Sequence, residues 1–140
     1  MILYLSYEEL AALSSSAERV LLADSAGGHG VAAPPQLLDE VEQFAERLDG
    51  DITVSSLQEQ RSLQLVLKHL LDASRAEMDE AIILQHAAAE SAVAAYFEYA
   101  YVLGVNHRVQ AMGEEMAAIV HLMTGDDPDS ETGRRFSFPE

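Results

Sequence analysis

Hydrophobic residues recur every three or four positions over most of the chain, which is the spacing of amphipathic helices. The first such stripe begins at Leu10 and predicts a helix that continues to about Ala23. Ser6 and Glu9 have the spacing of a capping box, so we expect this helix to begin there. A glycine-rich segment at residues 26–30 should end it, since glycine readily takes the left-handed conformation of a helix cap.

A second helix is predicted to open at Pro34-Pro35, because proline is tolerated in the first helical turn. Between Leu37 and Leu48 its apolar positions fall on one face and its charged positions on the other, which is the clearest amphipathic pattern in the chain. The β-branched run at residues 52–54 follows, and it predicts either a very short strand or an extended connector.

A third helix should begin near Leu57, because Ser56 and Glu59 repeat the capping-box spacing. Its apolar stripe continues to about Gln85, and we place a turn near His86, although no glycine or proline marks it. A single rod through this point would be unusual in a compact domain of this length. We therefore predict an antiparallel hairpin of two long helices.

The fourth helix, predicted over Glu90–Met123, is central to the domain. From Ala92 to Val105 its only charged residue is Glu98. A helix that is apolar on every side has to be surrounded by other helices, by a partner or by lipid. The charge-poor run is well short of the roughly 20 residues that a membrane span needs, so lipid is excluded. We predict that the rest of the domain encloses this front half.

The back half of the fourth helix carries two seams of heptad spacing, on roughly opposite sides. The first seam consists of Val105, Val109, Met112, Met116, Ile119 and Met123. The second seam consists of Gly104, His107, Ala111, Glu114, Ala118 and His121. One flanking hairpin would not cover both seams, so the pattern predicts self-association, with a homodimer favoured. The predicted interface residues are Gly104, Ala111, Ala118, Met112 and Met116.

The chain is strongly acidic, with a formal net charge of −16 and Lys68 as its single lysine. Nucleic acids and anionic membranes are bound mainly through lysine and arginine, so neither is predicted to be a partner. The charge instead suggests a basic protein as an alternative partner. In that case the chain would be a small acidic antagonist or regulator.

The chain contains no cysteine, which excludes disulfide frameworks and thiolate nucleophiles. The segment from Met1 to Leu13 has no positively charged region, and it places Glu8 and Glu9 where a signal peptide would be apolar. We therefore predict a cytoplasmic location.

Candidate metal chemistry is sparse. No glutamate stands three residues before a histidine, so the Glu-x-x-His pattern of carboxylate-bridged metal sites is missing. His107, Glu114 and His121 are the remaining metal candidates. Successive members of this set lie about 10 Å apart along one helix, so an ion would need ligands from another helix or subunit.

Signals for other chemistry are equally weak. The glycine-rich segment at residues 26–30 lacks the preceding strand and the glycine spacing of a phosphate-binding loop. The sequence predicts no catalytic residues and no cofactor, and a non-enzymatic protein is favoured over an enzyme. A small-molecule or metal-binding helical bundle stays open as a further alternative.

Glu98 is predicted to be a buried acid. A carboxylate inside a helical domain needs a hydrogen-bond donor, since burial penalises its charged form. Tyr99 and Tyr101 are poorly placed to reach it along the same helix face. We expect the donor to come from another helix.

Together these patterns predict an all-α, four-helix bundle-like domain at residues 1–125, with short extended segments at the termini. Residues 126–140 should form an acidic linker and an apolar tail. The alternating segment Arg134–Phe138 either docks as a strand beside residues 2–5 or stays free. The predicted function is a non-enzymatic, self-associating interaction module.

Overall fold

The computed structural model describes residues 1–25, 35–83 and 89–124, and these residues form an all-α, bundle-like fold. In chain order the elements are β1 (Ile2–Leu3), α1 (Tyr7–Ser25), α2 (Pro35–Glu46), β2 (Ile52–Thr53), α3 (Leu57–Ile83) and α4 (Ala89–Thr124). The glycine-rich segment, the turn near His86 and the predicted tail at 126–140 lie outside the described residues.

Capping boxes set the first residues of α1 and α3. The backbone N–H of Ser6 donates to Glu9 Oε1 at 2.9 Å, and the N–H of Glu9 donates to Ser6 Oγ at 3.1 Å. At α3 the N–H of Glu59 donates to Ser56 Oγ at 3.1 Å, while the Glu59 carboxylate accepts from the N–H of Ser55 at 2.8 Å. Both predicted helix starts are confirmed, because each box satisfies backbone donors that the first turn leaves unpaired.

The β-branched run at residues 52–54 contributes a short strand rather than a plain connector. β2 pairs antiparallel with β1, with Ile2 opposite Thr53. The Met1 amino group donates to the Val54 carbonyl at 2.8 Å, and the Val54 N–H donates to the Met1 carbonyl at 2.7 Å. This pairing ties the start of the chain to the segment between α2 and α3, a partner that the sequence pattern did not suggest.

The two long helices, α3 and α4, pack as the predicted antiparallel hairpin. Gln60 near the start of α3 donates from Nε2 to the Val109 carbonyl of α4 at 2.9 Å. Toward the other end of α3, Glu77 lies with Glu98 of α4 around one arginine. Since rising numbers in α3 meet falling numbers in α4, the helices run in opposite directions, and a single rod is excluded.

The buried Gln60 side chain also fixes how closely α3 approaches α4. Its amide donates to Gln64 Oε1 at 2.9 Å as well as to the α4 backbone. A Cβ added at Gly113 would collide with the Gln60 amide. Glycine at this position therefore lets a polar side chain lie directly on the backbone of the neighbouring helix.

Helix α1 lies antiparallel to α4 and is held at both ends. Near its start, Arg108 of α4 donates to the Tyr4 carbonyl at 2.7 Å and pairs with the Glu9 carboxylate. Near its end, Arg19 reaches Glu98. Between these ion pairs the apolar faces of the helices form one core, whose largest fully buried apolar side chains are Leu13, Val41, Val54, Leu57, Leu67, Leu70, Val102, Val105, Val109, Met116 and Val120.

The prediction that the front half of α4 is enclosed is wrong. Val93, Tyr96 and Phe97 are 55%, 56% and 54% exposed, and the buried residues, such as Ala95, Glu98 and Val102, lie on the inner side. The described parts of α1 and α3 contact one side of α4, so apolar residues on the opposite side have no neighbouring helix there. Burial was overestimated because hydropathy counts apolar residues and does not count the elements available to cover them.

Candidate functional site

The first heptad seam of α4 packs within the chain. Val105, Val109 and Met116 are fully buried, whereas Met112 and Ile119 are half-buried against the core. Met116 was a predicted interface residue, yet its side chain has no exposed surface to offer a partner. The Met112 side chain packs partly against the domain core. The seam ends before Met123, which is 68% exposed.

The second seam lies on the solvent side of α4 and joins the exposed apolar residues of the front half. We call this surface the outer face. It comprises the exposed residues Val93, Tyr96, Ala100, Gly104, Ala111, Ala118 and Leu122. Their separations of three, four or seven place them along one side of the helix. The outer face thus runs for most of the length of α4, with aromatic and branched residues in its front half and mainly small residues behind.

The small residues of the outer face leave the α4 backbone accessible. No heavy atom lies within 4 Å of a Cβ built on Gly104, apart from its immediate helical surroundings, and Ala111 and Ala118 are exposed. A second helix could therefore approach α4 closely along this side, since its packing distance depends on the size of the side chains between the axes.

The three metal candidates lie on or beside the same exposed side. His107, Glu114 and His121 are all exposed. Within the described ranges no group of three or more histidine, aspartate or glutamate side chains is arranged to hold a metal ion. These three residues therefore do not converge within one copy of the chain.

Glu98 is buried, and the expected donor from another helix is Arg19 of α1. Arg19 Nε donates to Glu98 Oε2 at 3.2 Å, and its Nη2 donates to Oε1 at 3.0 Å. This two-point contact matches the planar fork of a guanidinium to a carboxylate. Glu98 is only 9% exposed, so the contact supplies the hydrogen bonds that water would otherwise provide.

Arg19 is shared with a second carboxylate. Its Nη1 lies 3.3 Å from Glu77 Oε1 of α3, and its Nη2 also donates to Ser15 Oγ at 3.4 Å. Burial disfavours the charged guanidinium, but the hydrogen bonds and charge of Glu98, with the charges of Glu77 and Glu18, outweigh it and raise the pKa of Arg19. One cation thus joins α1, α3 and α4.

A surface groove of about 530 Å³ lies over this ion cluster. We call it the α1–α4 groove, because its walls come mainly from those two helices. Aromatic residues Tyr7, Phe97 and Tyr101 line it, together with the small residues Ala11 and Ala94. Its charged lining residues are Glu8, Arg19, Glu77 and Glu98. The groove therefore combines exposed aromatic surface with an excess of negative charge.

Sequence reasoning missed Arg19, Glu77 and the groove. Arg19 is the single basic residue of α1, and it stands beside the buried stripe residues Ser16 and Val20. A lone cation at the edge of an apolar stripe is the sequence signal from which an interhelical ion pair could have been predicted. Its partner could not be read from the sequence, because that depends on which helix faces α1 and in which register.

The chain matches no protein-family model, no curated protein and no solved structure. Across residues 1–25, 35–83 and 89–124, no helix has the continuous apolar length that a membrane span requires. The exposed surfaces of the described residues are therefore the basis for a proposed function.

Proposed function

We propose that the chain is a non-enzymatic interaction module that associates with a second copy of itself through the outer face of α4. The observation that supports this proposal is the exposure of one whole side of a 36-residue helix that carries large apolar residues in its front half. Contiguous apolar surface of this kind is typical of protein interaction sites.

An antiparallel pairing of two α4 helices suits the distribution of side-chain size. With a two-fold axis at His107, Tyr96 of one copy lies opposite Ala118 of the other. The bulky front half of each helix then packs on the small back half of the other. A parallel pairing would place Tyr96 against its own equivalent and leave space between the alanines, so the antiparallel arrangement buries apolar surface more completely.

Charge favours the same face for contact between copies. The outer face from Val93 to Gly104 contains no charged residue, whereas the whole chain has a net charge of −16. Two copies repel each other at long range, and the front half of the outer face adds no charge of its own to that repulsion. Added salt screens the repulsion, so we expect the dimer to become tighter as ionic strength rises.

Paired substitutions in the small half of the outer face test the proposal. Light scattering should give a dimer mass for the unmodified chain and a monomer mass for Ala111→Glu/Ala118→Glu, because each new carboxylate would be buried against apolar residues of the other copy without a partner. The matched control is Ala76→Glu, an exposed alanine on α3 that lies away from this face. It should leave the dimer intact.

Two results would refute the dimer. One is a monomeric mass for the unmodified chain at every concentration and salt level. The other is an unchanged dimer mass for Ala111→Glu/Ala118→Glu. Circular dichroism of each variant separates loss of association from loss of helix.

A further inference from the structure

We propose that the α1–α4 groove binds a basic helical segment of another protein, with an arginine or lysine of that segment paired to the exposed carboxylate of Glu77. This inference goes beyond self-association, because it concerns a different surface and a partner of opposite charge. It would make the chain an acidic binder of a basic protein as well as a self-associating module.

The ion cluster beneath the groove can accept another cation. Arg19 gives Glu98 two hydrogen bonds but meets Glu77 at a single 3.3 Å contact. The Glu77 side chain is 41% exposed, so its remaining acceptor positions are open to an incoming donor. With Glu8 on the groove wall, three carboxylates and one guanidinium line the described groove. The local charge is therefore complementary to a basic ligand.

Aromatic walls suit the same kind of ligand. Tyr7, Phe97 and Tyr101 are 82%, 54% and 38% exposed and all line the groove. Aromatic faces attract guanidinium and ammonium groups, and they also pack against the alkyl parts of arginine and lysine. A segment that combined basic and apolar side chains would contact both the aromatic and the acidic parts of the site.

The dimensions favour a helical segment over a small molecule. The lining residues run from Tyr7 to Arg19 on α1, which is about 18 Å at 1.5 Å per residue. Along α4 they run from Ser91 to Tyr101, or about 15 Å. A site of this length, lying at the surface between two helices, matches about three turns of a helix whose side chains enter at every third or fourth position.

A second copy of the chain is a poor source of the cation that we expect the groove to bind, because each copy brings the same net charge of −16. A basic partner is attracted by the same negative charge that repels a second copy. Attraction between opposite charges weakens as salt screens it, whereas the proposed dimer tightens. Salt therefore separates the two associations in one set of solutions.

The test uses a fluorescein-labelled, 14-residue amphipathic helical peptide with leucine on one face and arginine on the other. A matched peptide carries glutamate in place of arginine. Fluorescence anisotropy with the full chain at low salt should show saturable binding of the arginine peptide and none of the glutamate peptide. Binding should weaken by about tenfold or more in half-molar salt, because the contact is largely electrostatic.

Variants locate the binding site. Glu77→Gln and Phe97→Ser should each weaken peptide binding by about fivefold to tenfold, since they remove a negative charge and an aromatic wall. The matched controls are Glu80→Gln and Leu65→Ser, exposed positions on α3 outside the groove, and they should change binding less than twofold. Equal losses in Glu77→Gln and Glu80→Gln would mean non-specific attraction to an acidic protein and would overturn the proposal.

Two further variants distinguish the remaining explanations. Arg134→Gln/Arg135→Gln removes the adjacent arginines at the end of the chain, and peptide affinity should not change. A rise of several-fold would show that the chain's own basic residues compete for the groove, and it would overturn the assignment to another protein. Ala111→Glu/Ala118→Glu should keep peptide binding, so a failed dimer and a failed groove give different results.

Discussion

The two halves of α4 contact the rest of the chain in unlike ways. In the back half, Val105, Val109 and Met116 are fully buried, and Gln60 of α3 donates a hydrogen bond to the α4 backbone. In the front half, the inner side holds the charged Glu98, while apolar side chains such as Phe97 face solvent. The back half is held mainly by apolar packing, whereas the front half adds a buried ion cluster.

The difference shows that the most apolar stretch of a chain need not be its most buried one. The back half meets the start of α3, the start of α1 and the neighbouring β1 segment, as the contacts of Gln60 and Arg108 show. The front half meets later turns of α1 and α3, where Arg19 and Glu77 lie beside Glu98. The number of available neighbours decides burial, and surplus apolar surface is left for binding.

Truncating a core methionine should have the largest effect. Met116→Ala removes a side chain with no exposed surface and should lower the free energy of unfolding by about 2–5 kcal/mol. The matched control is Met123→Ala on the same helix, which is 68% exposed and should change stability by about 0.5 kcal/mol or less. Urea denaturation followed by circular dichroism measures both. Similar losses in the two variants would mean that burial does not distinguish these positions.

Removing the guanidinium from the front half should come next. Arg19→Met leaves Glu98 buried without its donor and should cost about 2 kcal/mol, below the usual range for a buried pair because Arg19 is partly exposed. The double variant Arg19→Met/Glu98→Met removes both charges and should recover most of that loss. Urea denaturation of both variants tests the pair, and a double variant less stable than Arg19→Met would contradict this account.

The contact between Gln60 and Gly113 predicts that the effect of Gly113→Ala on stability changes sign when the Gln60 side chain is removed. Gly113→Ala alone should destabilise by about 1 kcal/mol, because the new methyl group displaces the buried amide from its acceptors. In a Gln60→Ala background the same substitution should stabilise by about 0.5–1 kcal/mol, since alanine favours the helix and the space is free. A double-mutant cycle from denaturant melts measures this coupling. Additive effects would show that the Gln60 amide does not limit how closely α3 approaches α4.

The smallest stability effect is expected for the exposed aromatic residue of the front half. Phe97→Ser should alter the free energy of unfolding by about 0.5 kcal/mol or less, because more than half of the side chain already contacts water. Thermal melts at several chain concentrations check this value. A loss as large as that of Met116→Ala would show that the front half is stabilised by its own apolar surface.

Features set by neighbouring residues were predictable from the sequence. Ser6 with Glu9, and Ser56 with Glu59, identified the starts of two helices because a capping box acts within a few residues. The hairpin of α3 and α4 followed from helix length and short connections.

Features that join distant segments were not predictable in the same way. The pairing of β1 with β2 and the choice of Arg19 as the donor to Glu98 both depend on packing register, which no local pattern encodes. The prediction that Glu98 needs a donor from another helix required only the chemistry of a carboxylate. Naming that donor required the fold.

Glu9 connects these two kinds of feature in one side chain. Its Oε1 accepts from the backbone N–H of Ser6, and its Oε2 pairs with Arg108 of α4. Arg108 therefore holds in place the carboxylate that caps α1, which couples the start of α1 to its contact with α4. Terminal helical turns usually exchange their amide hydrogens through local opening. Here Arg108 restrains the carboxylate that accepts the amide hydrogen of Ser6, so this hydrogen should exchange more slowly than in a capping box without such a partner.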